Sequence, residues 1–123
     1  MGWDVEVTDD FAGWYSSLTA DEQDEVIARV DLLVAAGPGL GRPVVDQVHQ
    51  SRHSNMKELR APGGIRVLFA FDPRRVAILL IGGDKSPDDS RSPNWNHWYD
   101  RYVPIADDLY DRHVDELRME GLL

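Results

Sequence analysis

The apolar positions of the chain are densest between residues 55 and 85, NMKELRAPGGIRVLFAFDPRRVAILLIGGDK, and their spacing there is that of strands. Residues 56–61 alternate, with Lys57, Leu59 and Ala61 on one side and Met56, Glu58 and Arg60 on the other. Pro62-Gly63-Gly64 turns the chain. Residues 65–72 alternate again, placing Ile65, Val67, Phe69 and Phe71 opposite Arg66, Leu68 and Ala70. Asp72-Pro73-Arg74-Arg75 predicts a tight hairpin connection set by Pro73. Residues 76–81 are apolar without a break, as in a strand buried on both faces, and Gly82-Gly83 is expected to end it.

The flanks carry helical spacing. Trp3, Val5 and Val7 first alternate with Asp4 and Glu6, the pattern of a half-buried strand. Thr8 can cap a short helix whose one face holds Phe11, Trp14, Tyr15 and Leu18. Thr19 and Glu22 form a capping box for a second helix, which runs to about Ala36. Its expected buried stripe is Val26, Ile27, Val30, Leu33 and Val34, and Gly37-Pro38-Gly39 stops it. Residues 40–54 connect to the strands, with Val44 and Val45 as a short edge strand or packed turn. Beyond the strands, residues 86–94 form a polar, proline-containing loop. Trp95, Trp98, Tyr99 and Tyr102 then follow at helical spacing, and Pro104 fits the first turn of a new helix that buries Ile105, Leu109, Tyr110, His113 and Leu117. The pattern predicts one α+β domain over residues 1–123. An N-terminal strand and a three-strand meander form a mostly antiparallel sheet. Two N-terminal helices lie on one face, C-terminal helices follow, and the other face stays open.

Composition narrows the chemistry. The 123 residues contain no cysteine, so neither a disulfide nor a thiolate zinc site is available. No apolar run is long enough to cross a bilayer, and the N-terminus lacks the regions of a signal peptide, which points to the cytoplasm. The net charge is -9 and the pI about 4.7, unfavourable for nonspecific attraction to a polyanion. The charge is unevenly distributed, however. Residues 1–41 carry one Arg against nine acids, residues 42–91 nine Lys or Arg against six, and residues 92–123 three Arg against seven. The middle is basic inside an acidic envelope. There is no full phosphate-binding glycine loop, no HExxH and no nucleophile elbow. Asp84, Asp88 and Asp89 are the one acidic group considered for a divalent ion, in a Pro/Ser loop, and neither a metal nor another cofactor is expected.

Arg60, Arg66 and Lys85 come from three successive elements and can converge on one ligand. Three cations on one small surface repel one another unless an anion sits between them, and guanidinium forks match phosphate oxygens. The competing reading pairs each with a nearby acid: Arg60 with Glu58, Arg66 with Asp72, Lys85 with Asp84. An RNA phosphodiester can be cleaved without metal when the 2′-hydroxyl loses its proton, cations stabilise the phosphorane and an acid protonates the leaving oxygen. Lys85, Lys57, His53 and His97 are candidates for proton transfer. His49, Arg52 and His53 are candidates for an RNA-facing role, and Trp95, Trp98 or Tyr99 for stacking on a base.

Met56-Lys57-Glu58-Leu59-Arg60, Gly64-Ile65-Arg66-Val67-Leu68-Phe69 and the strand ending Gly82-Gly83-Asp84-Lys85 resemble the HigB branch of the RelE/ParE toxin superfamily. Gly41-Arg42-Pro43, Ser51-Arg52-His53, Phe71-Asp72-Pro73-Arg74 and Trp98-Tyr99 resemble its actinobacterial form, so that the likeness covers nearly the whole chain. The resemblance implies the toxin of a type II toxin–antitoxin pair. Such a toxin is a metal-independent mRNA endoribonuclease acting at the ribosome and is neutralised by a helix-turn-helix antitoxin. It implies that Arg60 and Arg66 hold the scissile phosphate, with Lys85 as the basic residue after the last strand and Lys57 near a position where some relatives carry a catalytic Lys. Two departures stand out: most such toxins are basic, and the acid, Tyr and His cluster of some HigB enzymes has only His97 and Tyr99 as loose counterparts. A relative that acts by protein binding, on an antitoxin or on gyrase, is the alternative.

Overall fold

A computed structural model of the chain describes residues 2–85 and 97–123. It contains strands β1 (Val5–Val7), β2 (Val45–Gln47), β3 (Lys57–Arg60), β4 (Ile65–Phe71) and β5 (Ala77–Asp84), and helices α1 (Asp9–Ser16), α2 (Ala20–Ala36) and α3 (His97–Met119). The five strands form one sheet in the order β1-β5-β4-β3-β2. β1 runs parallel to β5 and every other pairing is antiparallel. The fold is α+β with a mostly antiparallel sheet, as the sequence pattern predicts.

The N-terminal helices start where their caps place them. The Thr8 hydroxyl accepts from the Phe11 N–H at 3.0 Å and donates to the Leu80 carbonyl at 2.5 Å, tying the start of α1 to β5. Thr19 and Glu22 form the reciprocal capping box of α2. Phe11, Val26 and Leu33 from these helices are buried against Leu59, Val67, Phe69, Ala77 and Leu79 of the sheet. Of the predicted α2 stripe, Ile27 is 45% exposed, because the sheet ends at the three-residue strand β1 and leaves nothing above it.

The expectation of an open second face fails. α3 lies across that face and buries Trp98, Val103, Ala106, Leu109 and Tyr110 on Met56, Leu68, Ala70, Ile78 and Leu80. The reason is the period of β4 and β5. Both strands carry apolar residues on both sides, and only a two-sided cover removes them all from water. Pro104 does not open a new helix. It lies exposed inside α3, where only one backbone bond is lost to it, and Ile105 turns outward. Gly82 and Gly83 belong to β5 rather than ending it. A Cβ on Gly82 would come within 2.2 Å of the Trp14 ring, and one on Gly83 within 2.7 Å of the Trp98 indole nitrogen. The two glycines let a tryptophan press on the strand from each face. Among the described residues no helix is long and apolar enough to cross a membrane.

Candidate functional site

The end of the sheet where β3 leaves and β4 enters gathers the predicted cations. Arg60 and Arg66 are register partners across β3 and β4, and Arg66 is in turn the partner of Gly83 on β5. Two like charges opposite one another in a sheet repel, and the structure shows what offsets this. Glu58, two residues before Arg60 on the same face, is 2% exposed. Its Oε1 accepts from Arg60 Nε at 2.8 Å, and the Arg60 fork reaches Asp46 of β2 at 3.2 Å. Arg42, also on Asp46 at 3.1 Å, joins the Gln47 N–H and Arg60 in holding the Asp46 carboxyl below the ordinary carboxylate range. Arg66 has no carboxylate partner among the described residues. Its guanidinium donates to the carbonyls of Ile65 at 2.9 Å and Ala61 at 3.3 Å.

Lys85 follows β5 and enters the same corner through Tyr99 in the first turn of α3. Its Nζ lies 3.5 Å from the Tyr99 hydroxyl and 4.6 Å from the ring centre. Burial, and next to it the Glu58 carboxylate faced by the phenol, push Tyr99 up to about 12, with Arg66 and Arg60 pulling the other way. The phenol therefore keeps its proton at neutral pH. The corner holds three cations, one buried carboxylate and one protonated phenol. That set can grip an anion and supply a proton beside it.

A sequence profile of the family described as "Phage derived protein Gp49-like (DUF891)" matches residues 13–111. A protein of Mycobacterium tuberculosis bearing the name toxin HigB3 is 54% identical over 95 residues, which is 76% of this chain and 78% of that protein. The chain belongs to the HigB-like toxins. Toxin HigB2 of the same organism is 40% identical over 119 residues, 93% of this chain and 55% of that longer protein. The crystal structure of the archaeal RelE–RelB complex from Pyrococcus horikoshii OT3 shares the fold. Its TM-score is 0.54 at 17% identity, over 75% of this chain and all of that one.

The other sequence candidates do not join the corner. Lys57 points to the opposite face, where its Nζ donates to the Pro38 carbonyl at 3.4 Å and lies 5.9 Å from the Phe71 ring centre. Arg52 and His53 stand in the loop before β3, at the other end of that strand from Arg60. Arg52 is bound by Asp108, at 2.9 Å, and by Asp111, and His53 Nε2 is 2.8 Å from Asp111. That loop is seated by Asp107, a buried acid of α3 that accepts from Ser51 Oγ at 2.5 Å and from the Arg52 N–H at 3.2 Å. His49 and His97 are exposed. Trp98 is 2% exposed, stacked on Tyr102 and closed over Gly83, so it fills the core and offers no free face to a base. Trp95, Asp88 and Asp89 lie outside the described residues. Among those described, no group of three or more His, Asp or Glu is arranged to hold a metal ion.

Of the competing ion pairs, Arg60 with Glu58 is present. Arg66 with Asp72 is not, because Asp72 is taken by Arg74 at 2.8 Å and His113 at 2.9 Å. Sequence reasoning names Glu58 only as an acid that pairs with Arg60, and misses Asp46 as part of the corner. The signal was there for Glu58, which shares the strand face of Met56 and Arg60. Asp46 becomes relevant only once β2 is known to pair with β3.

Proposed function

We propose that this HigB-like chain is the toxin of a toxin–antitoxin pair and an endoribonuclease that cleaves mRNA by attack of the 2′-hydroxyl on the neighbouring phosphate. The observation that carries the reading is the opposition of Arg60 and Arg66 beside Lys85, with Arg66 unpaired by any acid among the described residues. The two guanidinium groups hold the phosphate oxygens, and Lys85 adds charge where the phosphorane forms. Tyr99, which keeps its proton and lies 3.5 Å from Lys85, is the donor for the leaving oxygen. The reading assigns no step to a metal. The partner is an antitoxin, by likeness to toxins whose solved relative is held in a RelE–RelB complex, and of helix-turn-helix type by family resemblance. The place of action is mRNA in the cytoplasm, at the ribosome.

A second reading, capture of a protein partner without cleavage, draws on the net charge of -9 and on the capping of Arg60 by Glu58 and Asp46. One experiment separates the two. The chain is induced alone, mRNA 5′-ends are mapped, and Arg60→Ala, Arg66→Ala and Lys85→Ala are compared. New ends inside reading frames, lost in the variants by a factor of about a hundred in rate, support the nuclease. Growth arrest with intact mRNA and damaged DNA supports gyrase inhibition, and unimpaired growth supports a role confined to complex formation.

A further inference from the structure

With 22 acids against 13 Lys and Arg, the chain has more than enough carboxylates to pair every cation. Arg29, Arg42, Arg52, Arg60, Arg74 and Arg118 each use at least one. Among the described residues, Arg75 and Lys57 use none, and both are set instead on aromatic rings that touch each other. The Arg75 guanidinium lies 5.4 Å from the Trp3 ring centre. Trp3 meets Phe71 edge to face at 5.8 Å, and Lys57 Nζ lies 5.9 Å from the Phe71 ring centre. The four groups form a row of cation, ring, ring and cation. The row is remote from the corner, at the other end of β3 and β4 and on the face covered by α1 and α2.

Arg75 is held there against a local cost. It is exposed, and its φ is 70°, the left-handed region that glycine fills without strain. Gly37 is pressed onto Trp3, where a Cβ would come within 2.3 Å of the ring, so the ring is fixed and the guanidinium is carried in a set place. An exposed guanidinium stacked on a fixed ring, with its N–H edge given to no acid, is a preorganised two-point donor for phosphate oxygens. Lys57, whose Nζ donates to the Pro38 carbonyl at 3.4 Å, adds a second charge. The cations lie over the rings, so the row offers charge rather than a surface for stacking, and what it fits is a run of phosphates. The net charge of -9 acts at long range and is screened beyond about 10 Å at 0.1 M salt, so the local groups decide contact. We propose that this row is a second RNA-binding surface, which grips the phosphate backbone of a folded RNA away from the corner that acts on the cleaved strand. This rests on the reading of the chain as an endoribonuclease.

The test is binding by fluorescence anisotropy over a series of salt concentrations. The ligands are 2′-O-methyl RNAs, which cannot be cleaved by 2′-hydroxyl attack: a stem–loop of about thirty nucleotides, and a tetranucleotide long enough only for the corner. Arg75→Gly removes the cation and keeps the left-handed backbone without strain, so the fold is retained. Lys57→Gln is the second variant. Each is expected to weaken stem–loop binding by about threefold to tenfold and to flatten the dependence of log K on log salt by about one. Tetranucleotide binding is expected to stay unchanged in both, whereas Arg66→Ala weakens both ligands. Unchanged stem–loop binding in Arg75→Gly and Lys57→Gln, with Arg66→Ala still lowering both ligands, overturns the second surface and leaves the corner reading standing. Equal loss of both ligands in the two variants makes the row structural and also overturns it. Tighter binding of a polyglutamate peptide than of the stem–loop, lost in Arg75→Gly, overturns it too and assigns the row to an acidic protein partner. If the wild type binds neither RNA, the endoribonuclease reading itself fails, and the proposal with it.

Discussion

Arg60 and Arg66 stand opposite one another across β3 and β4, and among the described residues only Arg60 has a carboxylate to neutralise it. The two arginines therefore have different structural consequences. Arg60→Ala leaves the buried Glu58 without its cation and is expected to destabilise the fold by about 1–3 kcal/mol. Arg66→Ala removes bonds to two backbone carbonyls and at the same time relieves a like-charge contact, for a change within about 1 kcal/mol. Urea denaturation of the single variants, and of Arg60→Ala combined with Glu58→Gln, measures this. The double variant should lose less than the sum of its parts.

Tyr99 reports on the same carboxylate. Its phenol is pushed up to about 12, by burial first and by Glu58 after it. In Glu58→Gln the charge is gone, so the tyrosine absorbance attributable to residue 99, taken by difference from Tyr99→Phe, should titrate at lower pH than in the wild type. The folded phenol ionises later than a free one near 10. Its contribution to stability is therefore complete below pH 10 and is lost as the pH rises toward 12. An unchanged titration in Glu58→Gln would show that burial alone sets the shift.

Much of this molecule is written in its hydrophobic periodicity. The meander, the Thr8 and Thr19 caps and the N-terminal strand follow from spacing within single elements. What spacing does not carry is the partner of each face. Trp98 reads the same whether it stacks on a base or on Gly83, and Leu68, Ala70 and Leu80 do not say which helix covers them. The same limit applied to the corner. Arg60 and Arg66 could be placed on one face from alternation, but the pairing of Arg60 with Asp46 depends on a strand fourteen positions earlier in the chain. Pro104 misled for a different reason. The rule against interior proline is a cost of one hydrogen bond, and a helix with a long buried face can carry it.

That cost is measurable. Pro104→Ala restores an N–H to the exposed side of α3 and removes the ring, and a stability gain of about 1 kcal/mol or more is expected from denaturant unfolding. Gly82→Ala and Gly83→Ala should act in the opposite direction. Each added methyl meets an indole ring at less than contact distance, 2.2 Å for Trp14 and 2.7 Å for Trp98, and overpacking of this kind costs about 1–3 kcal/mol. Truncating the facing ring, as in Gly82→Ala with Trp14→Leu, should recover part of the loss relative to Trp14→Leu alone.

The β4–β5 hairpin gives the fold an acid limit. The Asp72 side chain is fully buried and accepts from the N–H groups of Arg74 at 2.8 Å and Val76 at 3.1 Å, with Arg74 and His113 also on its Oδ2. Burial is the largest influence on its carboxyl and works to raise it. His113, Arg74 and the Val76 N–H together outweigh burial and hold the group below the ordinary carboxylate value. Because the folded carboxyl is the stronger acid, the unfolded chain takes up the proton first. The contribution of Asp72 is then fully present above the unfolded value near 4 and is lost as the pH falls through the lower, folded one. Asp72→Asn keeps the shape and removes the titration. The variant should be less stable than the wild type at pH 6, by about 1–3 kcal/mol, and the gap should narrow as the pH is lowered below 4. Denaturant unfolding of both proteins between pH 6 and pH 2 tests this, and parallel pH profiles would assign the acid sensitivity of the fold to other carboxylates.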